Sequence, residues 1–235
     1  MSPIQELISN IKQIDKNVMK KCNGIGGKRF TYFLKAVTFL GRETLWIFLI
    51  LFFLFIWYDP FLFSYFFASF FSGVLIVAPI KEITDRKRPF KELNIPIYER
   101  EPTSKSFPSW HVYNIVIHGL LIGTLVDSLM LLIILAVIMV LVAFSRVQLG
   151  VHYLSDSVSG FLLAVIGFLF VQYIFGPFMY NIVLSLEKYT ILNINYQQIN
   201  SMLFEEIWYL SLCIVIFACL FLSATAKMIR EYIME

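Results

Sequence analysis

The twelve residues SRVQLGVHYLSD, Ser145 to Asp156, place a serine, an arginine, a histidine and an aspartate between two long apolar runs. A charge at the centre of a bilayer costs about 2.5–3.5 kcal/mol even on a mild scale, so ionisable groups in such a setting are candidates for function. His152 and Asp156 are four apart, which puts them on one face of a helix. A carboxylate there fixes the imidazole tautomer and leaves the other ring nitrogen as nucleophile or base. Arg146 closes the preceding apolar run, and Gly150 lets the chain turn between them. Taken alone, the pair also fits a loop that anchors the chain at a membrane interface.

Two further stretches carry charge or imidazole. In KEITDRKRP, Lys81 and Arg88 are seven apart, two turns of a helix and one stripe, and Pro89 should end that helix at Arg88. Basic flanks of spanning helices look the same. In SFPSWH, Ser109 precedes a helix starting near His111, and a helix N-terminus suits an anion. Together the groups form a phosphoryl-transfer set. Cations, a hydroxyl and a helix N-terminus hold a phosphate, one histidine attacks, and a second protonates the leaving oxygen. No carboxylate cluster suggests a metal, so the cations would supply the charge that Mg²⁺ supplies elsewhere, and no cofactor is expected.

The elements that position these groups are membrane helices. The 235 residues are 59% hydrophobic and only 15% charged, with mean hydropathy +0.76. Soluble domains average about 25% charged residues. A net charge of +3 suggests no nucleic-acid partner. Cys22, Cys213 and Cys219 form neither a zinc nor a disulfide pattern. The N-terminus lacks the h-region of a secretory signal. Six segments approach the length of about 20 apolar residues that a span needs: Thr44–Tyr58, Phe61–Ile80, His111–Val126, Ser128–Phe144, Leu154–Phe175 (ending at Gly176-Pro177) and Ile207–Ala226. Arg29–Gly41 is too short to span alone. The expected architecture is all-α: a polytopic membrane bundle of about six spanning helices (42–235) with N-terminal interfacial helices (1–41). Two polar stretches remain, the charged Lys81–Ser109 and the weakly charged Tyr180–Glu206. Counting crossings puts Lys81–Ser109, the turn from Ser145 to His152 and the C-terminus on one face.

The three motifs resemble the signature of the type 2 phosphatidic acid phosphatase (PAP2) superfamily: K-x6-RP, PSGH and SR-x5-H-x3-D. Here they read KEITDRKRP (Lys81 to Pro89), PSWH (Pro108 to His111) and SRVQLGVHYLSD. The first and third match at every specified position, all within residues 81–156. The resemblance implies that His152 is the nucleophile forming a phospho-histidine, that Asp156 orients it, and that His111 is the general acid. Lys81, Arg88, Ser109 and Arg146 would bind the phosphate, with no divalent metal.

One position departs: Trp110 stands where the family pattern has glycine. A tryptophan there lets backbone approach a ligand only if its side chain points away, to line the lipid path or to sit at the interface. GIGGK (Gly24 to Lys28) lacks P-loop spacing and reads as a turn. Asn114 and His118 continue the stripe of His111, as second-layer partners or as satisfied groups within the bundle.

The expected function is hydrolysis of a membrane lipid phosphate or diphosphate, with polyprenyl diphosphate as the leading substrate. Phosphatidate or phosphatidylglycerophosphate hydrolysis and lipid phosphotransfer are alternatives, and a catalytically silent lipid-phosphate binder is the rival of a different class. The protein is expected in the plasma membrane, as a multi-pass protein of unassigned oligomeric state. All of its nineteen Lys and Arg except Lys188 fall on the site side, which positive-inside reasoning puts in the cytoplasm. The family resemblance implies an outward site, and that placement is taken as the expectation.

Overall fold

A computed structural model describes residues 2–189 and 196–233, with side chains through residue 226. Residues 190–195 of the polar stretch Tyr180–Glu206 lie outside the described residues. The elements are α1 (Pro3–Cys22), α2 (Gly27–Thr38), α3 (Glu43–Leu51), α4 (Pro60–Thr84), α5 (Pro89–Leu93), α6 (Trp110–Val126), α7 (Leu129–Gln148), α8 (Leu154–Phe170), α9 (Gly176–Glu187), α10 (Met202–Glu205) and α11 (Ile207–Ile233). Among the described residues the only strand-like pairing is one bridge, Trp57 to Ile199. The all-α expectation therefore holds.

Four helices are long and apolar enough to cross a membrane: Pro60–Leu93, Leu129–Gln148, Leu154–Glu187 and Ile207–Ala226. Gly27–Gly41 and Glu43–Ile56 reach that length and apolarity only when taken together, so up to five segments qualify against the expected six. The sixth expected segment, α6, has 17 residues and extends about 25 Å at 1.5 Å per residue, at the lower end of the length a span needs. Another boundary differs. Leu154–Phe175 does not end at Gly176-Pro177, because a π turn over Val171–Phe175 leads directly into α9. Pro177 sits in the first turn of α9, where its missing N–H costs nothing.

The chain forms two compact units, Met1–Arg42 with Gly73–Gly167, and Glu43–Ser72 with Phe168–Glu235. In the first, α6 is the buried axis. Ten of its residues are buried, among them Val112, Tyr113, Ile117 and Leu121. Helix α1 begins with a capping box in which the Ser2 hydroxyl accepts from Gln5 N and the Gln5 side chain accepts from Ser2 N. It buries only Asp15 and Met19, and Met19 packs with Val147 and Tyr153. The GIGGK stretch is a turn, with Gly24, Gly26 and Gly27 at positive φ. It is tied to the end of α7 by Gly24 N–H donating to the Gln148 carbonyl at 3.0 Å. In the second unit, aromatic packing dominates: Phe48 meets Phe217 edge-on at 5.2 Å, and Phe53 lies 5.5 Å from Phe66.

Candidate active site

All seven expected site residues lie in the first unit. Lys81 and Arg88 do not share a helical stripe. Helix α4 stops at Thr84 and Asp85 takes φ 43°, so the chain turns four residues earlier than Pro89 suggested. Pro89 still acts as expected on its neighbour, holding Arg88 extended at φ −76°, ψ 154° and opening α5. The turn brings the two cations to one short segment instead. Lys81 Nζ donates to the Lys105 carbonyl at 2.8 Å. Arg88 donates to the Ser104 carbonyl at 2.7 Å and to Ser104 Oγ at 3.0 Å.

His152 sits in the loop before α8 rather than on the helix. Its Nε2 is 3.2 Å from Arg88 Nη1, and its Nδ1 is 3.5 Å from Asp156 Oδ2, too long for a formed hydrogen bond. Asp156 is in the first turn of α8, where its Oδ2 accepts from Tyr153 N at 2.8 Å and from the Ser106 hydroxyl. The carboxylate thus caps its own helix while facing the imidazole. The turn into this loop requires Gly150. It has φ +80°, and an added Cβ would lie 2.6 Å from the Pro96 carbonyl oxygen.

Ser109 is the N-cap residue of α6, yet its hydroxyl makes no capping bond. Its N–H donates to the Asp156 carbonyl at 3.0 Å, joining the second motif to the third. This close approach is possible because Gly160 faces it: a Cβ there would stand 2.6 Å from the Ser109 carbonyl oxygen. His111 follows in the same turn of α6 and is half-buried, its backbone packed on Gly41. Trp110 directs its ring to Gly73 on α4, two turns ahead of Lys81. His118 and Asn114 are bonded within the bundle: His118 Nδ1 lies 2.8 Å from the Asn114 carbonyl, and Asn114 Nδ2 donates to the Gly41 carbonyl at 3.3 Å.

The electrostatics favour an anion. Lys81, Arg88 and Arg146 are 7%, 5% and 2% exposed. Among the described residues Lys81 and Arg88 form no ion pair, and a buried cation without a counter-charge is costly. Arg146 Nη1 donates to Glu99 Oε2 at 2.6 Å and to Thr38 Oγ1 at 2.8 Å. Its Nε, like Ser109 Oγ, is buried with no hydrogen-bond partner among the described residues. His152 is held well below the ordinary imidazole range, first by burial, then by Arg88, Lys81 and Arg146, with the Ser106 backbone acting in the opposite sense. The imidazole is therefore neutral and its lone pair is available. Among the described residues no group of three or more His, Cys, Asp or Glu side chains gathers as a metal site.

The PAP2 superfamily model matches residues 57–180, more than half of the chain. The chain belongs to the PAP2 superfamily. PAP2 membership makes it a membrane lipid phosphatase, integral and multi-pass. Among solved structures it is similar to the transmembrane PAP2 type phosphatidylglycerolphosphate phosphatase from Bacillus subtilis. That protein is 26% identical, with TM-score 0.60, covering 78% of this chain and 90% of that one. Aquifex aeolicus LpxE shares the fold at 19% identity and TM-score 0.57, covering 66% of this chain and 93% of that one. No curated protein matches.

The sequence did not single out Arg86, Asp15, Glu99, Thr38 or the 104–106 segment. Arg86 is one of four basic residues within eight positions, and nothing in the residue types separates it from Lys87. The one faint signal for Asp15 is its spacing of four from Met19, which puts both on the buried face of α1.

Proposed function

We propose that the chain hydrolyses a lipid phosphate or diphosphate through a phospho-histidine at His152, without a divalent metal. The observation that supports this most is the pairing of a neutral, buried His152 with two buried cations, Lys81 and Arg88, that form no ion pair among the described residues. A substrate phosphate supplies the missing anion. Lys81, Arg88, Ser109 Oγ and Arg146 Nε bind its oxygens. His152 Nε2 forms a bond to phosphorus as the bond to the lipid oxygen breaks, and His111 gives that oxygen a proton. Water then attacks phosphorus, His111 takes its proton, and the P–N bond breaks to release phosphate. Asp156 stabilises the charge that develops on the imidazole.

On substrate, two readings stand. Polyprenyl diphosphate suits a site whose substrate tail stays in the bilayer, with Trp110 lining the lipid path. Phosphatidylglycerophosphate is favoured by the activity of the similar Bacillus subtilis structure. In the same reading, α1 lies at the membrane interface, and Ile4, Leu7, Ile8, Ile11 and Ile14 present an exposed apolar stripe to it. The site faces outward from the plasma membrane.

The test is phosphate release by detergent-solubilised protein in EDTA, from a panel holding both lipids, with His152→Ala beside it. Release in EDTA that the variant lacks supports the proposal. Equal release from both removes the mechanism, and absence of release from any lipid favours the silent binder. Phosphate appearing on an added alcohol marks a transferase.

A further inference from the structure

The PAP2 motifs leave unexplained how the Asp156 carboxylate is held from its far side. Asp156 Oδ1 accepts from Arg86 Nη1 at 2.7 Å. The other arm of the same guanidinium, Nη2, donates to Asp15 Oδ2 at 2.6 Å. Arg86 Nη1 also donates to Ser155 Oγ at 2.7 Å. Ser155 in turn donates to Asp15 through its hydroxyl, and through its N–H at 2.9 Å. The face of the guanidinium rests on the Tyr153 ring, 4.2 Å from its centroid. Arg86 is thus fixed at both ends of its fork and on one face.

Asp15 is a singular residue in its helix. Helix α1 buries only Asp15 and Met19, and Asp15 is 1% exposed. It lies outside residues 57–180, the part that carries the family match. A buried carboxylate costs free energy unless it is paired and hydrogen-bonded, and every bond of Asp15 named above goes to Arg86 or Ser155. Helix α1 has a second, apolar anchor in Met19, which packs on Val147 and Tyr153.

We infer that Asp15 is a positioning residue for the phosphatase reaction: from the N-terminal helix it fixes Arg86, and through Arg86 the Asp156 carboxylate that faces His152. The inference rests on the His152 mechanism proposed above. With Asp15 removed, Arg86 Nη2 loses its anchor and the guanidinium is free to rotate away from Asp156 Oδ1. Ser106 and the Tyr153 N–H still hold Oδ2, so catalysis is impaired rather than abolished.

The test uses the full chain in detergent with the lipid phosphate that the wild type cleaves. Asp15→Asn is expected to lower kcat by roughly ten- to a hundredfold, the range seen when a partner that orients a reacting group is lost. KM should stay within about twofold, since the contact acts on the nucleophile and not on the ground-state complex. Arg86→Gln should lower kcat similarly, and the double variant should be no slower than Arg86→Gln alone, because Asp15 acts through Arg86. Met19→Ala is the control for docking: it should lower the thermal midpoint and leave kcat near wild type. Arg86→Lys keeps the charge but not the fork, so it tests the link with Asp15 intact and should also lose kcat. A kcat within twofold of wild type for Asp15→Asn, or for Arg86→Lys, overturns the inference. So does a double variant whose losses multiply, or a Met19→Ala that reproduces the kcat loss. A wild type that releases no phosphate overturns the His152 mechanism itself, and this inference with it.

Discussion

Arg88 Nη1 lies 3.2 Å from His152 Nε2. An N–H directed at that nitrogen requires a lone pair on it, so the imidazole proton sits on Nδ1, the side that faces Asp156 Oδ2 at 3.5 Å. The guanidinium therefore does two things. It keeps the histidine in the tautomer that the proposed attack by Nε2 requires, and in the same proposal it binds a phosphate oxygen.

The pH dependence follows from this arrangement. His152 must be neutral to attack, and its proton affinity is depressed by burial, then by Arg88, Lys81 and Arg146, against the Ser106 backbone. Because the depressed group protonates only well below pH 6.5, the acid limb of kcat/KM is expected well below 6.5. Among the described residues Asp156 is the carboxylate that faces the ring, and its attraction does not reverse the sign. Arg88→Gln should move the limb upward, though not to 6.5, because burial and two cations remain. Profiles of kcat/KM against pH for both proteins check this. A wild-type limb at or above 6.5 contradicts the assignment.

The two histidines should separate by leaving group. His152→Ala removes the nucleophile and is expected to abolish both turnover and acid-labile phosphate labelling of the protein. His111→Ala should cost roughly 10²–10⁴-fold with a lipid substrate, the usual contribution of a general acid. With an aryl phosphate, whose leaving oxygen needs no proton, the loss should be much smaller. Equal losses on both substrates would exclude His111 as the acid.

Much of this site was legible because its chemistry needs few residue types at fixed spacing. Lys81, Arg88, Ser109, Arg146, His152 and Asp156 meet as their motifs implied. The helix of His111 begins where its proline and serine placed it. What spacing could not convey was how the chain gets there. Lys81 and Arg88 converge through a turn at Asp85 whose φ of 43° has no strong residue signature. The span count was not exact, because α6 is shorter than the four helices that qualify and largely buried by protein, and apolar composition reads the same there as in a helix facing lipid. Arg86 and Asp15 were invisible for a related reason: a charge on an amphipathic helix or in a basic run looks solvated until its partner from elsewhere is seen.

Gly150 sets the loop that carries His152. Gly150→Ala forces a side chain to φ +80°, and the new Cβ meets the Pro96 carbonyl oxygen at 2.6 Å and Asn23 Nδ2 at 2.7 Å. The left-handed conformation alone costs about 1–2 kcal/mol, and the overlap adds to it. A lower thermal midpoint in detergent is expected, together with a loss of kcat in the fraction that remains folded, because Arg146 and His152 flank the turn. A variant as stable and active as the wild type would show that the loop relaxes freely.

Glu99 is the counter-charge that lets Arg146 be buried. Arg146 is 2% exposed, and its Nη1 is bonded to Glu99 at 2.6 Å and to Thr38 at 2.8 Å. Arg42 Nη2 shares the same carboxylate at 3.5 Å. Glu99→Ala strands a buried cation, for which about 3–5 kcal/mol of destabilisation is expected. The exposed pair Lys91–Glu101 provides the comparison. Its side chains are 52% and 59% exposed, so Glu101→Ala should change stability by about 1 kcal/mol or less. Inorganic phosphate should restore part of the stability lost in Glu99→Ala, because an anion bound to Arg146 replaces the missing charge. Thermal midpoints of the three proteins, with and without phosphate, decide the matter. If Glu99→Ala is no less stable than Glu101→Ala, the Arg146 charge is neutralised elsewhere, and its Nε is not waiting for a substrate anion.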